Sequence, residues 1–334
     1  MRVTMDDIAK LVGVSKTTVS RILNQKDVQV SAETRQKVLD AVRELDYHPN
    51  ELARGLKMSE TNVIGIILSN LRNPFWSMVL DGVEEACNQM GYHLMICNSG
   101  EDGDLEKEYI KGLQRRRVDG IIINPTVQNR ELFTEMVDQG FPLILINRKL
   151  HGLHASTVAM DNVQGASLAV EHLLRLGRRR IALITYDSTG ISTWTERIQG
   201  YKETLLRHGY GEESFIIQSV KQVDGAAVPA VVEMLRGAQR PDAIFSTNNL
   251  LTLEIMEALR EVDVRVPEDI ALVGYDETVW AKHMNPPLTT VSQPARDMGK
   301  IAVETLIETI KSKRVYPRTI VLPPELIIRR SSGI

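Results

Sequence analysis

Thr4-Met-Asp-Asp-Ile-Ala-Lys-Leu-Val-Gly-Val-Ser-Lys-Thr-Thr-Val-Ser-Arg-Ile-Leu-Asn24 puts two short helices and a tight corner into a span too small to be a domain by itself. Thr4 and Asp7 have the spacing of a capping box, so a helix is expected to start near Met5. Ile8, Leu11 and Val12 give that helix an apolar stripe. Gly13 suits the left-handed conformation that ends a helix, and Val14 plugs the corner. Ser15 can cap a second helix that turns Val19, Ile22 and Leu23 inward and leaves Lys16, Thr17 and Arg21 on its outer face. A helix-turn-helix presents side chains to base edges in the major groove in this manner; the alternative is a generic helical hairpin with a solvated polar face.

Ser31-Ala-Glu-Thr-Arg35 opens a third helix, with Val38, Ala41, Val42 and Leu45 at helical spacing. Tyr47-His-Pro-Asn-Glu-Leu-Ala-Arg-Gly-Leu-Lys57 follows. Pro49 and Asn50 suit the entry to a short helix, whereas Gly55 costs about 1 kcal/mol inside one. A helix shorter than roughly 12–15 residues does not hold in water unaided, so this one is expected to fold only against DNA and a second copy of the chain. Leu56 would then be an apolar wedge between base steps, entering from the minor groove, with Arg54 and Lys57 supplying charge beside it. A plain interdomain linker is the alternative.

The whole layout, from Thr4 to Ile327-Ile-Arg-Arg-Ser331, resembles the lac repressor/gal repressor family of bacterial transcription regulators. The residues that carry the resemblance are Asp7-Ile-Ala, Val14-Ser and Thr18-Val-Ser20 in the head, then Tyr47, Pro49-Asn50, Ala53-Arg54 and Leu56, and later Pro287-Leu-Thr-Thr-Val291. Any one of these alone would not be specific. The resemblance implies that Lys16, Thr17 and Arg21 read bases and that Leu56 intercalates, with Ala53, Arg54 and Lys57 beside it on the DNA. An Arg fork pairs with guanine O6 and N7, though no operator sequence follows from that. The implied architecture is an all-α helix-turn-helix head over residues 1–48, a hinge over 49–60, and an α/β sensor of two doubly wound parallel-sheet subdomains resembling periplasmic binding proteins. Those subdomains are expected at 61–161 with 293–322 and at 162–292 with 323–334. No cofactor or metal is implied.

At 334 residues the chain can hold a small head and two core-forming domains. Residues 1–57 carry 10 Lys and Arg against 8 Asp and Glu, or +2, so the rest carries −5 of the total −3. With so mildly basic a head, binding must rest on where its charges sit and on dimerisation, although affinity should still fall with salt. Cys87 and Cys97 lack metal-ligand spacing and suit a reducing cytosol. No apolar run approaches the ~18 residues of a membrane span, and the polar, acidic start is no signal peptide. A cytoplasmic protein is expected.

From Val63 onward, uninterrupted apolar runs alternate with amphipathic helical stretches: Val63–Leu68, His93–Cys97, Gly120–Ile123, Leu143–Ile146, Ile181–Ile184, Asp242–Phe245 and Ile270–Val273. Such runs read as parallel strands covered on both faces, and a break near Asp161-Asn162 splits them into two halves. Most end on polar side chains: Ser69-Asn70, Asn98, Asn124, Asn147-Arg148, Asp187, Asn248-Asn249 and Asp276. Ligands of open α/β sheets bind at the carboxyl ends of strands, so these groups are expected to converge on a crevice between the halves. By resemblance, Phe75 and Trp76 stack on a sugar's apolar face, while Arg148, Arg197 and Asp276 offer charge-assisted hydrogen bonds. Asp161 is either a ligand contact or part of a hinge; Trp194 and Gln293 complete the set. Asn249 stands where relatives commonly have Asp, which puts its assumed hydroxyl contact in doubt. Arg148 paired with Arg197 hints at an anionic ligand, a sugar acid such as a keto-deoxy-gluconate.

The expected partners are therefore a near-palindromic operator, a sugar or sugar-acid effector, and a second copy of the chain in a homodimer. The chain ends at Arg329-Arg-Ser-Ser-Gly-Ile334 without a heptad tail, so a dimer is expected rather than a tetramer. A transporter's solute-binding protein would have no use for residues 1–57. An enzyme would need a motif, and no G-x-G-x-x-G, phosphate loop, G-x-S-x-G or H-E-x-x-H is present. His93, His172, His208 and His283 are scattered singly. Control by a protein partner docking on the sensor stays open.

Overall fold

The computed structural model describes residues 3–23, 30–47, 61–187, 190–312 and 316–334. Expectations for the hinge, including Ala53, Arg54, Leu56 and Lys57, fall outside these residues. Two compact units divide the chain, Met1–Thr61 and Asn62–Ile334.

In the first unit, α1 (Met5–Val12) opens on both halves of the capping box. Asp7 N donates to Thr4 Oγ1 at 3.4 Å, and Thr4 N donates to Asp7 Oδ2 at 2.9 Å. Gly13 ends the helix at φ 73°. Ser15 Oγ accepts from Thr18 N at 3.1 Å and so caps α2 (Lys16–Leu23). Ser31 does the same for α3 (Ala32–Glu44), accepting from Thr34 N at 3.2 Å. Ile8, Ala9, Val19, Ile22, Val38, Ala41 and Tyr47 form the core. Leu11 is a correction: it is 58% exposed, because the face that α2 and α3 cover holds Ile8, Ala9 and Val12, and Leu11 lies past its edge.

The second unit contains two six-stranded sheets. One is built from β1 (Val63–Leu68), β2 (His93–Asn98), β3 (Gly120–Ile123), β4 (Leu143–Ile146) and β5 (Ser156–Met160), with α4 (Pro74–Met90), α5 (Gly103–Arg115) and α6 (Arg130–Asp138) between them. After α7 (Asn162–Arg175), the other takes β6 (Ile181–Tyr186), α8 (Ser192–Arg207), β7 (Ile216–Val220), α9 (Ala227–Arg236), β8 (Ala243–Ser246), α10 (Asn249–Glu261), β9 (Ala271–Tyr275) and β10 (Thr289–Ser292). The chain then returns to the first sheet with α11 (Ala295–Ser312) and β11 (Thr319–Leu322), and ends in the second with β12 (Glu325–Ile327). The strand orders are β11-β5-β4-β3-β1-β2 and β12-β10-β9-β8-β6-β7. Every pairing is parallel except β10 with β12, which departs from the all-parallel expectation.

β3, Gly-Ile-Ile-Ile, and β4, Leu-Ile-Leu-Ile, are buried throughout, as a strand covered on both faces must be. One apolar cluster runs from Ile64 and Ile146 through Val170 and Leu173 to Phe245 and Tyr275, so both sheets share a continuous core. No helix among the described residues is long and apolar enough to cross a membrane.

The last turn of the chain is stitched into the second sheet. Ser331 Oγ donates to Leu272 O at 2.6 Å, and Ser332 Oγ lies 2.9 Å from both Thr289 Oγ1 and His172 Nε2. Burial of His172, and then Arg175 beside it, holds the imidazole pKa below its ordinary 6.5. The unfolded chain therefore takes up this proton first as pH falls. His172 supports the fold fully above about pH 6.5 and loses that support as pH drops through its folded value. His172→Gln should flatten the fall in melting temperature between pH 7.5 and 5; an unchanged profile would show that other groups govern it.

Candidate functional site

On the head, Lys16, Thr17 and Arg21 are exposed on one side of α2 while Val19 and Ile22 are buried on the other. The capping of α2 by Ser15 fixes where that helix starts, and hence which three side chains stand clear. Lys16 Nζ lies 2.6 Å from Asp6 Oδ2, with both side chains more than half exposed. So exposed a pair holds little energy and leaves the ammonium available to a phosphate or base.

In the sensor, strand ends from both sheets meet across a cleft lined by Ser69, Asn70, Asn73, Phe75, Trp76, Glu101, Asn124, Asn147, Arg148, Trp194, Arg197, Gln222, Asn248, Asp276 and Gln293, among others. The first sheet supplies the positions up to Arg148, and the second supplies those from Trp194 to Asp276. Among the described residues, eight buried side-chain polar atoms have no hydrogen-bond partner within the protein. Five of the eight line this cleft: Asn124 Oδ1, Asn147 Oδ1, Arg148 Nε, Trp194 Nε1 and Gln293 Oε1. Leaving such an atom unmade costs about 1–3 kcal/mol, so their gathering in one place marks a surface built to be completed by something else. Asn249 Oδ1, Thr247 Oγ1 and Thr278 Oγ1 stand at the same end of the second sheet.

A wider depression of about 710 Å³ runs from Met256 to Ile334, and it holds none of these atoms. The cleft encloses only about 40 Å³, against the ~300–1,000 Å³ of small-molecule pockets. Its lips are joined by side chains from the two sheets. Arg72 pairs with Asp224 at 2.7 Å, Lys149 with Glu196 at 2.7 Å, and Asn249 Nδ2 donates to Asn73 Oδ1 at 2.7 Å. The lobes must part to admit a ligand of any size.

Four charged side chains line the cleft. Arg148 is 4% exposed and forks onto Glu101 through Nη1 and Nη2 at 2.7 and 2.6 Å, with Nη1 also donating to Pro125 O. Burial pushes the Glu101 carboxyl up, but the charge and hydrogen bonds of Arg148 prevail and hold it below its ordinary range. Arg197 lies 3.6 Å over the Tyr275 ring, and donates to Asn162 Oδ1 at 2.9 Å and Thr247 O at 2.5 Å. Asp276, at the left-handed φ of 72°, accepts from Gln293 Nε2 and Asn249 Nδ2. Burial raises its pKa, opposed by the charge of Arg197.

Of the expected effector residues, Phe75, Trp76, Arg148, Trp194, Arg197, Asp276 and Gln293 come together here. Phe75 and Trp76 meet edge to face at 5.0 Å, at the N-terminus of α4 that Asn73 caps. Two do not line the cavity. Asp161 is spent as the cap of α7, accepting from Gln164 N at 2.8 Å, which favours its hinge reading. Asn249 sits behind Asp276 and holds it; an aspartate there would set two carboxylates side by side. Asn98 and Asp187 do not line the cleft either, Asn98 Oδ1 holding the turn at Leu71 instead. Glu101 and Gln222 were not anticipated, since each reads as an ordinary surface side chain in a loop. Burial raises both thiols, Cys87 to about 11, and among the described residues no His, Cys, Asp and Glu cluster could hold a metal ion.

Comparison with known proteins places both regions of the chain in known families. Residues 4–50 match the model for bacterial regulatory proteins of the lacI family, and residues 170–332 match that for a periplasmic binding protein-like domain. The chain is 33% identical over 333 residues to the HTH-type transcriptional regulator KdgR of Bacillus subtilis (strain 168), covering 98% of this chain and 97% of that one. To the HTH-type transcriptional repressor PurR of Vibrio atlanticus (strain LGP32) it is 37% identical over 331 residues, 98% and 97% of the two chains. Among solved structures, the lac repressor dimer bound to operator and the anti-inducer ONPF superposes with a TM-score of 0.88 at 28% identity, covering 99% of each chain. The complex of the regulator CelR with cellobiose does so at 0.73 and 31%, covering 99% of this chain and all of the other. A head matched by that family excludes the solute-binding and enzyme alternatives, and with relatives this similar along nearly its whole length the chain belongs to the LacI family of DNA-binding transcriptional regulators.

Proposed function

We propose that this regulator is a repressor that grips two half-sites of a near-palindromic operator as a homodimer, and that a small sugar or sugar acid bound between the sensor lobes switches it. The gathering of unpartnered buried polar atoms in the cleft carries the effector reading, because hydroxyls both donate and accept and so satisfy donors and acceptors alike. Phe75, Trp76 and Trp194 supply apolar faces for a sugar ring. The cellobiose in CelR, and the ribose in a LacI family regulator from Enterococcus faecium, support the same class. Each head offers one short recognition helix, so useful affinity needs two. The effector switches DNA binding only through different affinity for the open and closed lobes.

Selection of bound sequences from random duplexes, then fluorescence anisotropy on the selected operator across a panel of sugars and sugar acids, tests this. No preference over random competitor defeats the DNA reading; an operator complex indifferent to every member defeats the effector reading. Arg21→Ala should relax base preference at one operator position and cost about 1–3 kcal/mol there. Uniform weakening across all sequences would place Arg21 on phosphate instead.

A further inference from the structure

We infer that the cleft selects an electrically neutral, hydroxyl-rich effector, and that Glu101 is the residue that sets this choice. The inference rests on the effector reading above and narrows it. Two arginines facing one crevice suggest an anion when read alone. With Glu101 and Asp276 beside them, the cleft is lined by two basic and two acidic side chains, so the arginines do not face it alone.

The pairing is specific. Arg148 gives both terminal nitrogens to Glu101 and one of them also to Pro125 O, so only Nε is left unpartnered. A ligand carboxylate that sought the guanidinium fork would have to evict Glu101. That carboxylate would then stand without its cation in a mostly buried wall, next to the incoming negative charge, and breaking a buried pair in this way is costly. Glu101 is also held from behind. Ser69 and Gln222 hydrogen-bond to it, and its backbone sits at φ 66°, a conformation that a non-glycine residue keeps only when its surroundings impose it. Arg197 is committed too, to Asn162, Thr247 and the face of Tyr275.

The unpartnered atoms agree. Those lining the cleft include three carbonyl acceptors, Asn124 Oδ1, Asn147 Oδ1 and Gln293 Oε1, against two donors, Arg148 Nε and Trp194 Nε1. Asn124 Nδ2 is tied to Ile146 O at 2.9 Å and Gln293 Nε2 to Asp276, which fixes those two amides with their oxygens free. Such a lining wants hydrogen-bond donors. Hydroxyls supply them, whereas a carboxylate only accepts.

The test uses matched pairs: glucose, galactose, ribose and cellobiose, each beside its uronic or aldonic acid. Binding to the full-length protein is followed by tryptophan fluorescence, since Trp76 and Trp194 line the cleft, and by calorimetry. The wild-type protein should bind a neutral member at least about tenfold more tightly than its acid. Glu101→Gln should shrink that gap or reverse it, by freeing the Arg148 fork for the acid. In case Glu101→Gln does not fold, the double variant Glu101→Gln/Arg148→Gln removes both charges and should keep the neutral preference. An acid that binds the wild-type protein as well as its neutral partner overturns the inference alone. A gap unchanged in Glu101→Gln overturns the role of Glu101. If no member of either series binds, the effector reading of the cleft falls, and this inference with it.

Discussion

Arg197→Ala should abolish the effector response and destabilise the sensor by about 3–5 kcal/mol, a cost of the order seen when a buried charge loses its counter-charge, here the field of Arg197 at Asp276 without a direct ion pair. Arg197 is 2% exposed and does three things at once. It covers Tyr275 at 3.6 Å, ties α7 to the end of β8 through Asn162 Oδ1 and Thr247 O, and sets the positive field that offsets the burial of Asp276. Alanine removes all three and leaves the Asp276 carboxylate held only by amides. Arg197→Lys would keep the charge but lose the planar stacking and the two-directional donation, so it should restore much of the stability and little of the response. Thermal melts and operator anisotropy with effector measure the two effects separately. A variant that still released or tightened on its operator with effector would remove Arg197 from the site.

The head was legible almost residue by residue, because caps and corners are local. Thr4, Asp7, Gly13, Ser15 and Ser31 act through neighbours within a few positions, so spacing alone identifies them. Leu11 misled because helical spacing gives the width of a stripe and not which edge of it the neighbouring helices cover. In the sensor, the fully buried strands declared themselves as apolar runs. β7, β11 and β12 did not, since edge strands exposed on one side alternate over too few residues to stand out. β5 is buried throughout yet reads Ser-Thr-Val-Ala-Met, its polar members hiding a core strand.

The same distinction governs the cleft. Residues at strand ends were found by position along the chain, but their partners were not. Glu101 lies 47 positions from Arg148, and Gln222 lies in the loop after β7 of the other sheet. No local pattern ties a glutamate in a turn to an arginine beyond a distant strand, so two arginines looked like free positive charge.

Gly82→Ala and Gly299→Ala should each lower stability by about 3 kcal/mol, or roughly 6–12 °C in melting temperature for a unit of this size. The two glycines face each other where α4 crosses α11. A methyl on Gly82 would fall inside 3.0 Å of Arg296 O, and one on Gly299 inside 3.0 Å of Val79 O. Backbone carbonyls cannot swing aside as a side chain can, so the helices must separate and give up packing along their length. Gly112→Ala on α5 is the control. Its methyl would meet nothing nearer than 3.4 Å, so the change should be neutral or stabilise the helix by roughly 0.5–1 kcal/mol. Once one methyl has forced the crossing apart, the second finds room already made, and the double variant Gly82→Ala/Gly299→Ala should cost less than the sum of the singles. Full additivity would mean that each clash is relieved locally and the helices stay in place. Separation also has a functional reading, because α4 carries Phe75 and Trp76 into the cleft at its N-terminus. A helix pushed off α11 moves that ring pair, so both single variants should weaken effector binding even at temperatures where they are fully folded.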